Sequence, residues 1–188
     1  MRAAMDGMQY LFDHHGHGYD RFTRAVFGRL HARVLADAAA AAPTGGVVLD
    51  VGAGPGRLAV ALAASRPDLT VLAVDVSPSM VEVANRRAAN AGLGQRVRVD
   101  RADVAALPLD DASVDLVVSS VSFHHWTDVP GAVREMRRVI RPTGRIWIYD
   151  ARIAPWRRLA AAAYGSLPRT SAGLLFTRAE VPAAAGVR

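Results

Sequence analysis

The chain has 188 residues, enough for one domain with a substantial buried core. The sequence contains no cysteine, which excludes a disulfide framework, a thiolate-bound metal and a cysteine nucleophile. Its formal net charge is +6, and residues 134–188 hold 11 arginines against three acids. This basic last third leaves open an anionic substrate, RNA or an acidic partner, although scattered arginines in contact with solvent are the commoner explanation.

Residues 1–18 are expected to form a flexible segment in front of a single domain over residues 19–188. The segment lacks the pattern of a signal peptide, and no apolar run is long enough to span a bilayer, so the sequence predicts a cytoplasmic protein. A cluster of histidines raises a metal-binding alternative, carried by Asp13, His14, His15 and His17. A short glycine-rich segment holds no fixed ligand geometry, so no functional metal is expected there.

The first helix is predicted over residues 19–42, where Leu30 and Val34 belong to an apolar stripe at helical spacing. Strands and helices then alternate, with strands at 47–51, 70–75, 96–100, 114–119 and 145–150 and helices at 56–65, 78–91 and 128–140. Strands joined by helical crossovers form a parallel sheet that is covered on both faces. The expected fold is therefore α/β, a doubly wound and mostly parallel sheet in three αβα layers.

The first strand runs into LDVGAGPG, where Gly52, Gly54 and Gly56 form G-x-G-x-G two residues after Asp50. In an open parallel sheet, such a turn lies where ligands bind. Dinucleotide enzymes use G-x-G-x-x-G, which sets a helix N-terminus against a pyrophosphate. A carboxylate at Asp50 would repel a pyrophosphate and suits an ammonium group, as in S-adenosylmethionine, although Asp50 could equally cap the following turn.

Four stretches in register resemble the class I S-adenosylmethionine-dependent methyltransferases of the small-molecule type, which are methyltransferase type 11-like. They are LDVGAGPG, VLAVDVSPSM, VRVDRADVAALPLDDASVD and RVIRPTGRIWIYD, the last with Thr143 in place of a glycine. The resemblance covers about residues 19–152 and implies a Rossmann-like cofactor-binding core at 45–152 with S-adenosylmethionine as its cofactor. The implied cofactor-binding residues are Asp50, Gly52, Ala53, Gly54, Gly56, Asp75, Val76, Met80, Asp103, Val104 and Ser119.

Two of these acids have distinct implied roles. Asp75 ends the second strand and matches the acid that grips both ribose hydroxyls, a strong charge-assisted clamp. Asp103 matches the acid near the adenine amine, with Val104 beside the ring. Asp103 would look the same if it only capped the segment that follows it.

The loop SSVSFHHWTD follows the fourth strand and is expected to face the acceptor with Ser119, Ser122, His124, His125 and Trp126. His124 and His125 are the candidate general bases, because imidazole titrates near neutral pH. The alternative is an aromatic wall that transfers no proton. In similar enzymes the segment before the first helix folds over the cofactor as a lid, to which Tyr10 or Tyr19 would contribute.

The full class I fold closes its sheet with an antiparallel hairpin, in the strand order 3-2-1-4-5-7-6. Here this C-terminal hairpin is expected to be missing, because LLFTRAEVPAAAGVR resembles the helix and turn that lead to the sixth strand. An uncovered fifth strand invites pairing with another chain. Truncation, a homo-oligomer that completes the sheet edge, and a shortened protein that binds its cofactor poorly are the competing explanations.

The predicted activity is transfer of a methyl group to O, N or C of a small-molecule acceptor. The loop after the fourth strand contains no N-P-P-Y or D-P-P-Y motif, which makes DNA adenine methylation unexpected, and RNA is unexpected as a substrate. Two alternatives remain. One is a methyltransferase-like module that binds the cofactor without catalysis, and the other, less favoured by the glycine spacing, is a nicotinamide-dependent reductase.

Overall fold

The computed structural model of the protein describes residues 16–151, 154–163, 168–172 and 176–183, with side chains from residue 28 onward. Within these ranges the chain forms five α-helices, one short 3-10 helix and seven strands. In chain order the elements are α1 (Gly16–Ala41), β1 (Val47–Val51), α2 (Arg57–Ser65), β2 (Thr70–Asp75), α3 (Pro78–Asn90), β3 (Val97–Arg101), β4 (Val114–Ser120), the 3-10 helix (Phe123–His125), α4 (Val129–Val139), β5 (Ile140–Ala151), α5 (Trp156–Ala162), β6 (Arg169–Ser171) and β7 (Phe176–Val181).

The seven strands form one sheet in the order β3-β2-β1-β4-β5-β7-β6. Strands β1 to β5 are parallel, and β7 is antiparallel to both β5 and β6. Val51 at the end of β1 lies beside Val74 of β2 and Ser119 of β4. The carboxyl ends of these three strands therefore meet at one edge of the sheet, which confirms the predicted doubly wound α/β fold.

Helices cover the two faces of the sheet over two separate apolar clusters. Ile146 and Ile148 of β5 pack in the cluster that contains α4 and α5, whereas Trp147 and Tyr149 pack in the cluster that contains α1, α2 and α3. This alternation follows from the period of two along a strand. None of the described helices is both long and apolar enough to cross a lipid bilayer.

Element boundaries differ from the predicted ones by more than one residue in two places. Helix α1 begins at Gly16 rather than at residue 19. Strand β5 begins at Ile140 rather than at residue 145, because Ile140 already pairs with Val114 and the pairing resumes between Leu116 and Arg145. The residues of the predicted turn, Pro142, Thr143 and Gly144, therefore lie within β5, at the point where its pairing with β4 is interrupted.

The expectation that the closing hairpin is missing was wrong. Strand β7 pairs antiparallel with β5, from Ile146 opposite Val181 to Ala151 opposite Phe176, and β6 pairs with β7. The physical reason is that the free edge of β5 carries unpaired backbone N–H and C=O groups, which an extended β7 satisfies while it buries Ala179. A second copy of the chain is therefore not needed to cover the edge of β5.

Arginines of the basic last third bond to acids and carbonyl groups elsewhere in the chain. Arg141 donates to Asp115 over 2.6 Å, and Arg138 donates to Glu135 over 2.8 Å and to Asp111 over 2.7 Å. Both Asp111 and Asp115 precede residue 134. Part of the positive charge of the last third is thus paired with acids within the fold.

Candidate ligand-binding site

A cavity of about 280 Å³ lies at the carboxyl ends of β1, β2 and β4. We call one side the turn wall, which consists of residues 51–55, 74–77 and 102–104. The opposite side is the β4 wall, which consists of residues 120–122 and 125–127. His31 of α1 and Arg57 of α2 also line the cavity.

The glycine turn folds back onto the end of β2. The N–H groups of Gly52 and Ala53 donate to the carbonyl of Val74 over 2.9 and 3.0 Å. Gly52 has φ +68°, and a Cβ there would overlap the Cβ and Oγ of Ser122. Gly52 therefore brings the turn wall and the β4 wall into direct contact, which no larger residue allows.

Asp75 ends β2 with both carboxylate oxygens engaged. Oδ2 accepts a hydrogen bond from Gly54 N over 2.7 Å, and Oδ1 accepts one from Ser77 N over 2.9 Å. These bonds fix the carboxylate at the cavity wall. The side chain of Val76 beside it is 56% exposed, an unusual position for a large apolar residue.

Asp50 lies beneath the glycine turn rather than in the cavity lining. It is only 3% exposed, and the Ala59 backbone N–H in the first turn of α2 is its hydrogen-bond partner. Burial, followed by the negative charge of Asp75, raises the pKa of Asp50 to about 7. The carboxylate of Asp50 thus bonds to the first turn of α2, and its role toward an ammonium group stays a prediction.

Asp103 and Val104 lie where the sequence predicts them, at the turn wall after β3. Asp103 Oδ1 also accepts a hydrogen bond from Ala105 N over 2.9 Å. The carboxylate thus stabilises the following turn and lines the cavity at the same time, so the two interpretations of Asp103 are compatible.

Three serines at the end of β4 have different surroundings. Ser119 is fully buried, and its Oγ lies 2.7 Å from the Oγ of Ser122. Ser122 Oγ donates to the Val51 carbonyl over 3.2 Å and accepts from Trp126 Nε1 over 3.3 Å. Ser120 lies between them in sequence and lines the cavity. The predicted cofactor ligand Ser119 is therefore part of an internal bond network behind the wall.

The two histidines of the 3-10 helix point to different partners. His124 Nδ1 lies 2.9 and 3.0 Å from the two carboxylate oxygens of Asp150, which also accepts from His124 N over 3.0 Å. Asp150 is completely buried. His125 lines the cavity and stacks on His124 with ring centroids 4.0 Å apart. Burial and the neighbouring His124 lower the pKa of His125 to about 4. The charge of Asp150 raises this pKa but has a smaller effect.

The cavity gathers eight of the predicted site residues into one lining. They are Gly52, Ala53, Gly54, Asp75, Val76, Asp103, Val104 and His125. Five predicted residues lie outside the lining, namely Asp50, Gly56, Met80, Ser119 and His124. Gly56 instead lets α2 pack on α3, because a Cβ there would meet Ala84, and Met80 is fully buried in the core.

Sequence reasoning missed several polar lining residues, among them His31, Arg57 and Ser120. Ser120 was passed over for its neighbour Ser119. His31 follows Leu30, a member of the buried apolar stripe of α1. A polar side chain beside such a stripe, on a helix that packs against the sheet, is the signal that would have found it.

Metal binding has little support in the described part of the chain. No group of three His, Asp or Glu side chains with described positions is arranged to hold a metal ion. Asp13, His14 and His15 lie outside the described residues, as does the side chain of His17. The expectation about that cluster therefore stays a prediction.

Comparison with known proteins gives consistent matches. Residues 49–148 match the family described as methyltransferase domain. The 27-O-demethylrifamycin SV methyltransferase of Amycolatopsis mediterranei is 38% identical over 108 residues, which are 57% of this chain and 39% of that protein. A demethylmenaquinone methyltransferase of Roseiflexus castenholzii is 31% identical over 180 residues, covering 86% of this chain and 73% of that protein.

The fold also matches a solved structure. A SAM-dependent methyltransferase from Aquifex aeolicus superposes with a TM-score of 0.68 at 22% identity, over 85% of this chain and 93% of that one. Identity this low supports a shared fold alone. Matches to three curated relatives cover 37 to 39% of their length, so the chain spans about two fifths of each.

Proposed function

We propose a function from the premise that this chain belongs to the methyltransferase domain family. The chain transfers a methyl group from S-adenosylmethionine to an oxygen, nitrogen or carbon atom of a small-molecule acceptor. The observation that carries this proposal is the single cavity in which the glycine turn, Asp75 and the β4 wall meet.

The turn wall suits the adenosine half of the cofactor. The fixed carboxylate of Asp75 has lone pairs directed to donors such as the two ribose hydroxyls. Val76 and Val104 offer apolar surface for a flat base, and Asp103 offers an acceptor for an exocyclic amine. A diphosphate on the same wall would meet the negative charge of Asp75 and Asp103, so we assign a nucleoside ligand without phosphate.

Two basic side chains of the cavity lining suit the amino-acid half of the cofactor. Arg57 and His31 both line the cavity, and Arg57 is the first residue of α2. A carboxylate is favoured at a helix N-terminus beside a guanidinium group. Acids on the turn wall, the imidazole of His31 and the guanidinium group of Arg57 thus match the uneven charge of S-adenosylmethionine.

Methyl transfer needs little chemical assistance from the protein. S-adenosylmethionine, when bound, supplies a methyl group on a positively charged sulfur that leaves as a neutral thioether. The β4 wall then has to align the acceptor and exclude water, which contributes several kcal/mol to lowering the barrier. Trp126, only 8% exposed and bonded to Ser122, gives this wall a fixed apolar surface.

We assign proton removal to His125, because it is the histidine of the pair that lines the cavity. Its pKa of about 4 keeps the ring neutral at pH 7 and able to accept a proton. A base this weak is sufficient for a hydroxyl acceptor, since oxygen becomes strongly acidic as the methyl bond forms. His124 and Asp150 hold the short helix that carries His125.

The names of two relatives support a proposal about the acceptor class. One is named as a 27-O-demethylrifamycin SV methyltransferase and the other as a demethylmenaquinone methyltransferase. We propose an acceptor of similar chemistry, a hydroxylated aromatic or quinone compound. A panel of phenols and reduced quinones, with the S-adenosylhomocysteine formed as the readout, tests this assignment.

Calorimetry tests the cofactor assignment without knowledge of the acceptor. Wild-type protein is expected to bind S-adenosylhomocysteine and not NAD. Asp75→Ala should weaken S-adenosylhomocysteine binding about 100-fold, since two charge-assisted hydrogen bonds are lost. Asp68→Ala is the control, because Asp68 bonds to Arg66 and Gly45 away from the cavity. Binding of NAD alone, or unchanged affinity in Asp75→Ala, would overturn the proposal.

A further inference from the structure

A second cavity, of about 360 Å³, lies between α4 and α5 and shares no lining residue with the cavity described above. We call it the α4–α5 groove. Two of its lining residues are basic, Arg134 of α4 and Arg158 of α5. The other lining residues are apolar, namely Val129, Pro130, Ala161 and Ala162. The groove therefore combines apolar surface with two positive charges.

No acid side chain lines this groove. Among the side chains that the structure describes, no carboxylate forms an ion pair with Arg134 or Arg158. The two acids that flank Arg134 in sequence are engaged elsewhere. Asp128 caps the first turn of α4, and Glu135 bonds to Arg138 over 2.8 Å. The groove thus presents an attractive potential to an anion, next to a surface that suits an apolar group.

Arg158 also bonds to the loop that forms the β4 wall. Its Nη2 donates to the carbonyl oxygens of Thr127 over 3.1 Å and Trp126 over 3.4 Å. Because both bonds come from one nitrogen and a guanidinium group has five N–H donors, Arg158 can bind an anion while it keeps these contacts. Thr127 and Trp126 line the first cavity, so Arg158 links the groove to the β4 wall.

We propose that the α4–α5 groove binds a small organic anion, which is a phosphate or carboxylate group attached to an apolar body. Guanidinium groups bind the oxygens of both anions through paired hydrogen bonds. The apolar lining gives the attached body a contact surface that an inorganic anion cannot use. The groove is separate from the site of the proposed function, and the inference does not depend on methyl transfer.

Three probes separate the two parts of this ligand. Phenyl phosphate contains the anion and an apolar ring, inorganic phosphate contains the anion alone, and phenol contains the ring alone. In titrations followed by amide NMR shifts, phenyl phosphate should shift amides of α4 and α5 and bind about tenfold more tightly than inorganic phosphate. Phenol should leave these amides unchanged.

Substitutions in the groove identify which residues bind the probe. Arg134→Gln and Arg158→Gln should each weaken phenyl phosphate about tenfold, because each removes a charge-assisted contact. Ala161→Leu keeps both arginines and fills the groove from α5, so it should weaken phenyl phosphate about fivefold and inorganic phosphate less. The matched control is Arg169→Gln, which removes an exposed arginine of β6 outside the groove and should leave both affinities unchanged.

Three results would overturn the proposal. In the first, phenyl phosphate shifts no amide of α4 or α5. In the second, phenyl phosphate and inorganic phosphate bind equally well, which would make the groove a surface ion site without selectivity for an organic group. In the third, Arg169→Gln weakens binding as much as Arg134→Gln, which would show that net charge alone attracts the anion.

Two further measurements separate these results from unfolding and from the proposed function. Arg134 is exposed, so Arg134→Gln should unfold at the same Tm as the wild type. S-adenosylhomocysteine should bind Arg134→Gln and the wild type equally well. Failure of the wild type to bind S-adenosylhomocysteine contradicts the proposed function alone, whereas failure to bind phenyl phosphate contradicts this inference alone.

Discussion

The turn wall is held mainly by backbone hydrogen bonds, whereas the β4 wall is held by side chains that come from distant parts of the sequence. Gly52 and Ala53 bond through their N–H groups to Val74 in the adjacent strand. Ser122 instead bonds to Val51, 71 residues away, and His124 to Asp150. The shape of the turn wall thus depends on positions that require glycine. The shape of the β4 wall depends on which polar side chains pair in the folded protein.

The proposed function assigns the turn wall to the cofactor and the β4 wall to the acceptor, so this difference bears on which part of the site a sequence motif can reveal. Backbone groups present the same donors and acceptors whatever the side chains are, so a glycine motif can be recognised in sequence. Side-chain pairs across the sheet, in contrast, depend on which residues are present, and each pair can be replaced independently of the others. The predictions below act on each wall in turn, and their effects are expected to decrease in the order given.

Gly52→Ala acts where the two walls touch and should have the largest effect. The new Cβ overlaps Ser122, and φ is +68°. Strain and overpacking together should lower the free energy of unfolding by about 3–5 kcal/mol. Urea denaturation measures this loss, and calorimetry should detect no S-adenosylhomocysteine binding.

Gly54→Ala is the control for Gly52→Ala. Its φ is +53°, but a Cβ there meets nothing within 4 Å, so backbone strain of about 1 kcal/mol is the main expected effect. Equal destabilisation by the two substitutions would show that contact between the walls contributes nothing to the requirement for glycine at residue 52.

Asp50→Asn tests the charge beneath the turn wall. The folded-state pKa of about 7 lies above the ordinary value of 3.8, so the folded protein binds the proton more tightly than the unfolded chain. Stability from this group is present below pH 4 and is lost as the pH rises toward 7. At pH 8 Asp50→Asn should be more stable than the wild type by about 2–3 kcal/mol.

Denaturation midpoints at pH 5 and pH 8 measure this difference. The asparagine oxygen can still accept the hydrogen bond from Ala59, so the substitution removes the charge and keeps this bond. A gap between the two proteins that is the same at both pH values would rule out titration of Asp50 in this range.

The same contrast explains what the sequence could predict. Gly52 could be recognised from its glycine motif, which follows the apolar run of β1, and the family resemblance pointed to Asp75 and Asp103. The partner of His124 could not be inferred, since Asp150 lies on a different strand and only the sheet order brings them together. Strand β7 was missed for a related reason. Only Ala179 and Val181 are buried among its six residues, and its pairing depends on the free edge of β5.

His125→Gln tests the β4 wall at low pH. Burial lowers the pKa of His125 from 6.5 to about 4, so the unfolded chain binds this proton more tightly. Stability from the neutral ring is complete above pH 6.5 and is lost as the pH falls toward 4. Between pH 7 and pH 5 the wild type should lose about 1–2 kcal/mol more than His125→Gln, measured by urea denaturation. Parallel curves for the two proteins would contradict a depressed pKa at this position.

Tyr149→Phe should have the smallest effect. It tests whether the cavity depends on how α1 is held against β5, the strand that carries Tyr149. The Tyr149 hydroxyl donates to Asp37 of α1 over 2.8 Å, a contact between residues 112 positions apart. Arg33 and Arg178 also contact Asp37, so loss of the hydroxyl removes one of several bonds and should lower stability by about 1 kcal/mol. Because α1 carries His31 into the cavity, S-adenosylhomocysteine affinity should fall about two- to threefold. Amide hydrogen exchange should locate the added opening in α1, and equal exchange in every helix would show that Tyr149 stabilises the sheet as a whole rather than the position of α1.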